Sequence, residues 1–271
     1  MAEADARPAG RTIMVAPNGA RRTKEDHPAL PMTVAEVART AAECREAGAD
    51  AIHVHVRDRD GAHVLDAELY GQATAAIRRE AGPDLLVQIT TEAVGRYRPE
   101  EQAAIVRAVR PRAVSIALKE LCPEDEGPSL TLARDLYHWA AKEEIAVQHI
   151  LYAPDEIERA ARLMTAGVLP SSRADLLFVL GRYVANQESD PGALTGFLST
   201  LAATGLDASW SVCAFGRGET AALAAAMALG GHARVGFENS LRHADGSIAA
   251  NNRERVAAIA EIRERLGLTA P

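Results

Sequence analysis

Short apolar, β-branched runs alternate with longer amphipathic segments along the whole chain. The runs Thr12–Ala16, Ala51–Val56, Leu85–Ile89, Ala113–Ala117, Ala146–Leu151, Leu176–Leu180, Ser209–Cys213 and Ala233–Phe237 predict eight strands. Each is followed by a segment long enough for a helix. Thr33-Val34-Ala35-Glu36 has the spacing of a capping box and predicts a helix start. That helix carries Val37, Ala38 and Ala41 on one face and ends at Gly48. Gly167, Gly205 and Gly230 punctuate later helix-to-strand joints. Val256, Ile259, Ile262 and Leu266 recur every three or four residues, so the last helix is amphipathic. Strict alternation predicts an α/β fold closed into a single-domain (β/α)8 TIM barrel over residues 11–271, with residues 1–10 a disordered tail. An open, doubly wound sheet is the alternative architecture.

Composition narrows the chemistry. The 271 residues suffice for one barrel with a large core. A formal charge of −7 argues against a non-specific nucleic-acid binder. Cys44, Cys122 and Cys213 are far apart and form no CxxC pair, which fits a reducing compartment. Met1–Gly10 lacks the apolar stretch of a signal peptide, and the apolar run Ala221–Leu229 is too short to span a bilayer. A cytoplasmic protein without a membrane partner is expected.

His53-Val54-His55 is the sharpest local feature. Residues two apart on a strand share a face, and at the C-terminal end of a barrel strand that face opens onto the active-site mouth. Two neutral imidazoles suit a zinc ion; two hydrogen-bonded, partly buried histidines are the plainer reading. Glu238 follows the eighth run, which closes the barrel beside the first, so it can converge with His53 and His55. Thr90, Thr91, Glu92, Ser115, Lys119, Glu120, His149 and Tyr152 fall on the same expected rim. Gly216-Arg217-Gly218-Glu219 opens a helix, where backbone N–H groups bind phosphate well. An ordinary tight turn is equally compatible. His63, His138 and His243 are expected to be peripheral.

Ordered blocks along the chain resemble the β-keto acid cleavage enzymes, whose founding activity is 3-keto-5-aminohexanoate cleavage. These blocks are Ala16-Pro17-Asn18-Gly19-Ala20-Arg21, His27-Pro28-Ala29-Leu30-Pro31, Ala47-Gly48-Ala49, His53-Val54-His55-Val56-Arg57-Asp58, Ile150-Leu151-Tyr152, Cys213-Ala214-Phe215-Gly216 and Gly230–Asn239. The resemblance implies a homotetrameric barrel with Zn2+ on His53, His55 and Glu238. It implies an exchange in which a β-keto acid and acetyl-CoA give acetoacetate and a new acyl-CoA. Arg234 matches an arginine that assists the acid–base step, and Thr90 and Ser115 lie where the family has hydroxyl residues for the substrate carboxylate. Thr91 and Tyr152 complete the expected substrate pocket, and Gly216 and Arg217 the expected cofactor contact.

Two positions depart from the founding pattern. An aspartate proposed as the base is replaced by Asn239, an amide that takes no proton at neutral pH. Either Asn239 only orients the substrate, or a carboxylate such as Glu120 is the base. The amine-recognising glutamate is replaced by Arg21, which favours an anionic or hydroxylated substrate tail. Competing readings are a zinc hydrolase resembling the amidohydrolases, for which Lys119 and His149 speak, and a non-catalytic barrel that senses CoA or a metabolite.

Overall fold

The chain enters its first helix through a reciprocal cap. In the computed structural model, which describes residues 10–170 and 172–269, Thr33 Oγ1 accepts from the Glu36 N–H at 3.2 Å. Glu36 Oε2 accepts in return from the N–H groups of Thr33 at 3.0 Å and Met32 at 2.9 Å. Helix α1 (Val34–Glu46) then buries Val37, Ala38, Ala41 and Cys44. It is followed by Gly48, whose φ of +107° suits glycine.

Partial burial opposes ionisation of Glu36, but the Lys24 ammonium at 2.8 Å and the two backbone donors outweigh it and bring its pKa down to about 2. A lowered carboxylate pKa stabilises the fold above the ordinary value and loses that contribution as pH falls through the lowered one. Glu36→Gln is therefore expected to cost about 1 kcal/mol at neutral pH, the scale of a helix cap. Urea denaturation of both proteins from about pH 5 downward checks the sign, because the gap should close as the wild-type carboxyl is protonated. A gap that widens in acid would remove the cap from the account.

Eight parallel strands close on themselves in sequence order. They are β1 (Ile13–Val15), β2 (Ala51–Val54), β3 (Leu86–Thr90), β4 (Ala113–Ala117), β5 (Ala146–Leu151), β6 (Ala174–Leu180), β7 (Ala208–Ala214) and β8 (His232–Val235). The pairs Ile13↔Ala233 and Val15↔Val235 join β8 to β1, and Met14↔Ala51 joins β1 to β2. Closure excludes the doubly wound sheet. The outer layer comprises α1, α2 (Ala67–Ala81), α3 (Pro99–Val109), the short α4 (Leu118–Leu121), α5 (Pro128–Lys142), α6 (Asp155–Thr165), α7 (Leu194–Thr204), α8 (Glu219–Ala228) and α9 (Asn252–Arg265). Residues 1–9, most of the expected tail, lie outside the described residues.

Packing divides into a continuous layer between strands and helices, a smaller cluster at the mouth, and a third formed by Leu30, Phe237 and Ala249. Ile13, Ile52, Val114, Leu176 and Val256 belong to the first. Ala117, Ile150, Val179, Cys213 and Phe215 belong to the second, with Tyr152 against it. The second cluster gives the mouth one apolar wall.

Candidate metal centre and active-site cleft

The eighth strand ends earlier than its apolar run predicts. Gly236 takes φ +140°, and a turn closes through Asn239 N–H and Ser240 N–H to the Gly236 carbonyl at 2.9 and 3.0 Å. Glu238 rides on that turn and donates its N–H to Ala16 O at 3.0 Å, across the β8–β1 seam. This seam, two strands from His53, makes the convergence inferred from barrel closure geometrically direct.

His53 Nε2 and His55 Nε2 lie 3.1 Å apart, and both face Glu238 Oε2, at 3.6 and 3.4 Å. Both histidines are 1% exposed. Burial, then the nearby Arg234 guanidinium, lowers the His53 pKa to about 4, and burial lowers His55 to about 3. Both rings are thus neutral at physiological pH. Burial opposes ionisation of Glu238, but Arg234 together with the His53 and His55 rings outweighs it and holds the carboxyl well below the usual range. Arg234 Nη2 donates to Glu238 Oε1 at 2.8 Å, leaving Oε2 without a hydrogen-bond donor. Lone pairs from two rings and one carboxylate oxygen therefore converge on one point, and the ligand atoms of this triad lie within 4.8 Å of one another. Such a donor set fits a divalent cation and repels itself without one.

The cleft above this triad is lined by Asn18, Arg21, Arg22, Thr90, Glu92, Glu120, Tyr152, Arg182 and Arg234, with Ile150, Val179 and Phe215 on the apolar side. Arg21 is exposed at its edge, and among the described residues neither Arg21 nor Arg182 has an ion-pair partner. Thr90 Oγ1 accepts from the Glu92 N–H at 3.0 Å, so its own O–H remains to be donated. Burial, then the charges of Glu238 and Glu120, raises Glu92 to about 7. Burial raises Glu120 as well, although its Oε2 accepts from Ala93 N–H at 3.0 Å.

Other expected residues do not reach the cleft. Thr91 gives its hydroxyl to Ser115 O at 3.3 Å, and Ser115 Oγ is buried without a partner; neither lines the cleft. Asn239 is fully buried off the lining, with both amide atoms unpartnered, and its carbonyl accepts from Arg22 at 3.4 Å. Two N–H groups of the Gly216–Gly218 turn are already taken: Gly216 donates to Asn239 O at 3.3 Å and Arg217 to Glu188 Oε2 at 2.8 Å. His149 points out of the barrel against the Tyr137 ring at 5.2 Å. Lys119 lies between the rings of Tyr152 and Tyr183, at 3.7 and 4.1 Å. Neither of the features that spoke for a hydrolase faces the triad. His63, expected at the periphery, is 4% exposed and packs edge-on to His55 at 4.8 Å.

Arg57 and Arg22 shape the cleft without having been singled out for a role. Arg57 donates to the carbonyls of Gly19, Asn18 (3.4 Å), Arg22 (3.1 Å) and Gly61 (2.9 Å), clamping the loop that follows β1. Arg22 reaches the carbonyl of Phe237. The signal was faint: Arg57 is two residues beyond His55, and Arg22 adjoins Arg21.

The profile of the beta-keto acid cleavage enzymes (BKACE) matches residues 11–270. The chain belongs to this family. A 3-keto-5-aminohexanoate cleavage enzyme of Fusobacterium nucleatum is 31% identical over 255 residues, covering 92% of this chain and 89% of that protein. A 3-oxoadipate:acetyl-CoA acetyltransferase of Cupriavidus necator is 28% identical over 261 residues, covering 94% and 89%. Among solved structures, ObcA in ternary complex with a C4-CoA adduct and oxalate superposes with a TM-score of 0.71 at 15% identity. That alignment covers 89% of this chain and 65% of ObcA, and it shows the shared barrel. A 3-dehydroquinate dehydratase from Geobacillus kaustophilus gives a TM-score of 0.61 at 12% identity, covering 97% and 92%. The chain is thus an enzyme of the β-keto acid cleavage family and not an amidohydrolase. Among its described residues no helix is long and apolar enough to cross a membrane.

Proposed function

We propose that the chain converts a β-keto acid and acetyl-CoA into acetoacetate and a new acyl-CoA, with zinc held by His53, His55 and Glu238. The observation that carries this reading is the convergence of two neutral imidazoles and one carboxylate oxygen beneath a cleft that also presents Glu92, Arg21 and Arg182. A bound zinc would act as a Lewis acid toward the keto oxygen and acidify the adjacent methylene.

The protein groups divide the remaining work. Thr90 O–H donates to the substrate carboxylate. Glu92 takes a proton from the methylene carbon, since it lies in the cleft and burial makes its carboxylate a stronger base; Glu120 supplies a second carboxylate beside it. The deprotonated carbon attacks the acetyl carbon of acetyl-CoA, so a carbon–carbon bond forms and the thioester C–S bond breaks. The released thiolate adds to the original ketone carbon and the bond to the methylene carbon breaks. Glu92 returns its proton to the departing acetoacetate. Arg234 keeps Glu238 ionised and oriented throughout. Ile150, Val179 and Phe215 keep water from one side of the reacting centre.

Arg21 reads the far end of the substrate, where a guanidinium pairs with carboxylate through two parallel hydrogen bonds. Dicarboxylic or hydroxylated β-keto acids are thus expected to outperform 5-amino-3-ketohexanoate. A panel of keto acids with acetyl-CoA, assayed for acetoacetate by mass, tests the reaction. Specificity constants for anionic and cationic substrates in wild type and Arg21→Glu test the reader; an equal ratio in the two proteins would dismiss Arg21. Glu92→Gln should lose turnover yet keep its metal. Three buried free cysteines support a cytoplasmic setting, and the family resemblance supports a homotetramer, which light scattering would measure.

A further inference from the structure

Beneath the triad, the barrel interior holds polar side chains that the reaction does not use. His53 Nδ1 lies 2.8 Å from Gln88 Oε1. Gln88 Nε2 donates to Gln148 Oε1 at 3.3 Å, and Gln148 Nε2 donates to Asp175 Oδ1 at 3.2 Å and Ser211 Oγ at 3.4 Å. Gln88 and Gln148 are 3% and 5% exposed. These groups come from β2, β3, β5, β6 and β7, so the chain of contacts crosses the barrel. Two amides in the core of a barrel are costly unless satisfied, and here each amide has partners on both sides.

A glutamine amide can turn end for end with almost no change of shape, so a row of amides alone has two nearly equivalent directions. A serine hydroxyl follows either one. A carboxylate only accepts. Asp175 therefore compels Gln148 to present its NH2 toward β6 and its oxygen toward Gln88. Gln88 must then present NH2 to Gln148 and oxygen to His53. An oxygen at 2.8 Å leaves His53 Nδ1 one role, that of donor.

We propose that Asp175, Gln148 and Gln88 form a one-way hydrogen-bond relay that fixes the His53 proton on Nδ1 and thereby turns the Nε2 lone pair toward the metal site. All three are positioning residues, and none touches substrate. The proposal rests on the metal reading above, but its first consequence, the tautomer, is measurable in metal-free protein. Reversing the relay withdraws the lone pair. Partners of this kind change metal affinity by roughly ten- to a hundredfold.

Two measurements test it: two-bond 1H–15N correlation spectra of the His53 ring, assigned by difference with His53→Ala, and zinc affinity by competition with a chelator. Wild type should show one His53 form, protonated on Nδ1. Gln148→Lys replaces a two-way amide with a donor only, so Gln88 must turn its oxygen to Lys and its NH2 to His53. The proton should move to Nε2 and zinc affinity should fall about ten- to a hundredfold. Adding Gln88→Glu supplies an acceptor to both neighbours and should restore the Nδ1 form and the affinity. Should the lysine variant fail to fold, the nearly isosteric Asp175→Asn, able to accept or donate, should show both tautomers. A wild-type ring protonated on Nε2, or a tautomer unchanged in the variants, overturns the relay. A wild type with the Nδ1 form but no zinc affinity overturns the metal reading and leaves the relay standing.

Discussion

A chain carrying both His53→Ala and His55→Ala is expected to keep its barrel, bind almost no divalent metal, and lose turnover by at least about a thousandfold. The wild type should hold about one equivalent per chain, as one catalytic site requires. The two rings supply two of the three convergent donor atoms, and one carboxylate oxygen left beside an arginine makes a poor site for a cation. The fold should survive because neither ring belongs to the apolar clusters that hold strands to helices. Glu238 keeps its bond to Arg234 at 2.8 Å, so no buried charge is stranded. The loss of rate follows from losing a Lewis acid worth several kcal/mol, at about 1.4 kcal/mol for each factor of ten. Elemental analysis beside the acetoacetate assay checks both parts. Metal content equal to wild type would put the site elsewhere.

Arg234→Ala should also leave a folded protein, but one whose stability depends on metal. Arg234 is 4% exposed, and it is the Glu238 partner that burial makes necessary. Without it, a carboxylate buried at the mouth has no arginine in direct contact in metal-free protein, a situation that costs about 3–5 kcal/mol. Metal restores the missing positive charge and stabilises the folded state by mass action. The melting temperature of the variant should therefore fall sharply on chelation, and by more than that of wild type. Turnover of the loaded variant should drop at least about a hundredfold, the scale of one electrostatic or acid–base group. Near-normal activity together with chelator-insensitive melting would take Arg234 out of both roles.

The barrel and the convergence of His53, His55 and Glu238 were legible because both depend on periodicity. Alternation by two puts His53 and His55 on one face whatever surrounds them, and closure brings Glu238 beside the first strand. The pairing of Arg234 with Glu238 owes nothing to strand alternation, since β8 ends at Val235; it arises from the turn that Gly236 initiates. What could not be read depends on partners far away in sequence. His149 and Tyr152 both lie near the end of one run, and only the observed pleat turns His149 toward α5 and Tyr152 toward the cleft. His63 follows a surface-like Asp60-Gly61 stretch, yet the loop folds back so that its ring meets His55. Gly216 and Arg217 form the expected turn, but Glu188, 29 residues before Arg217, takes the N–H that a phosphate was expected to use. Asn239 follows Glu238 directly and still faces away from the cleft, because the turn that presents one side chain hides the next.

Arg57 grips the loop after β1 only by carbonyl oxygens, which are the same for every amino acid. Position 21 can consequently change from arginine to an acidic, neutral or bulky residue without releasing the clamp. Position 19 has no such latitude, since a Cβ there would come within 2.6 Å of Glu238 Cγ at a φ of +61°. The loop thus separates a residue free to vary from one held against Glu238. Under the proposed role of Arg21, single substitutions at the rim can change the substrate tail accepted while the convergent triad below is left alone.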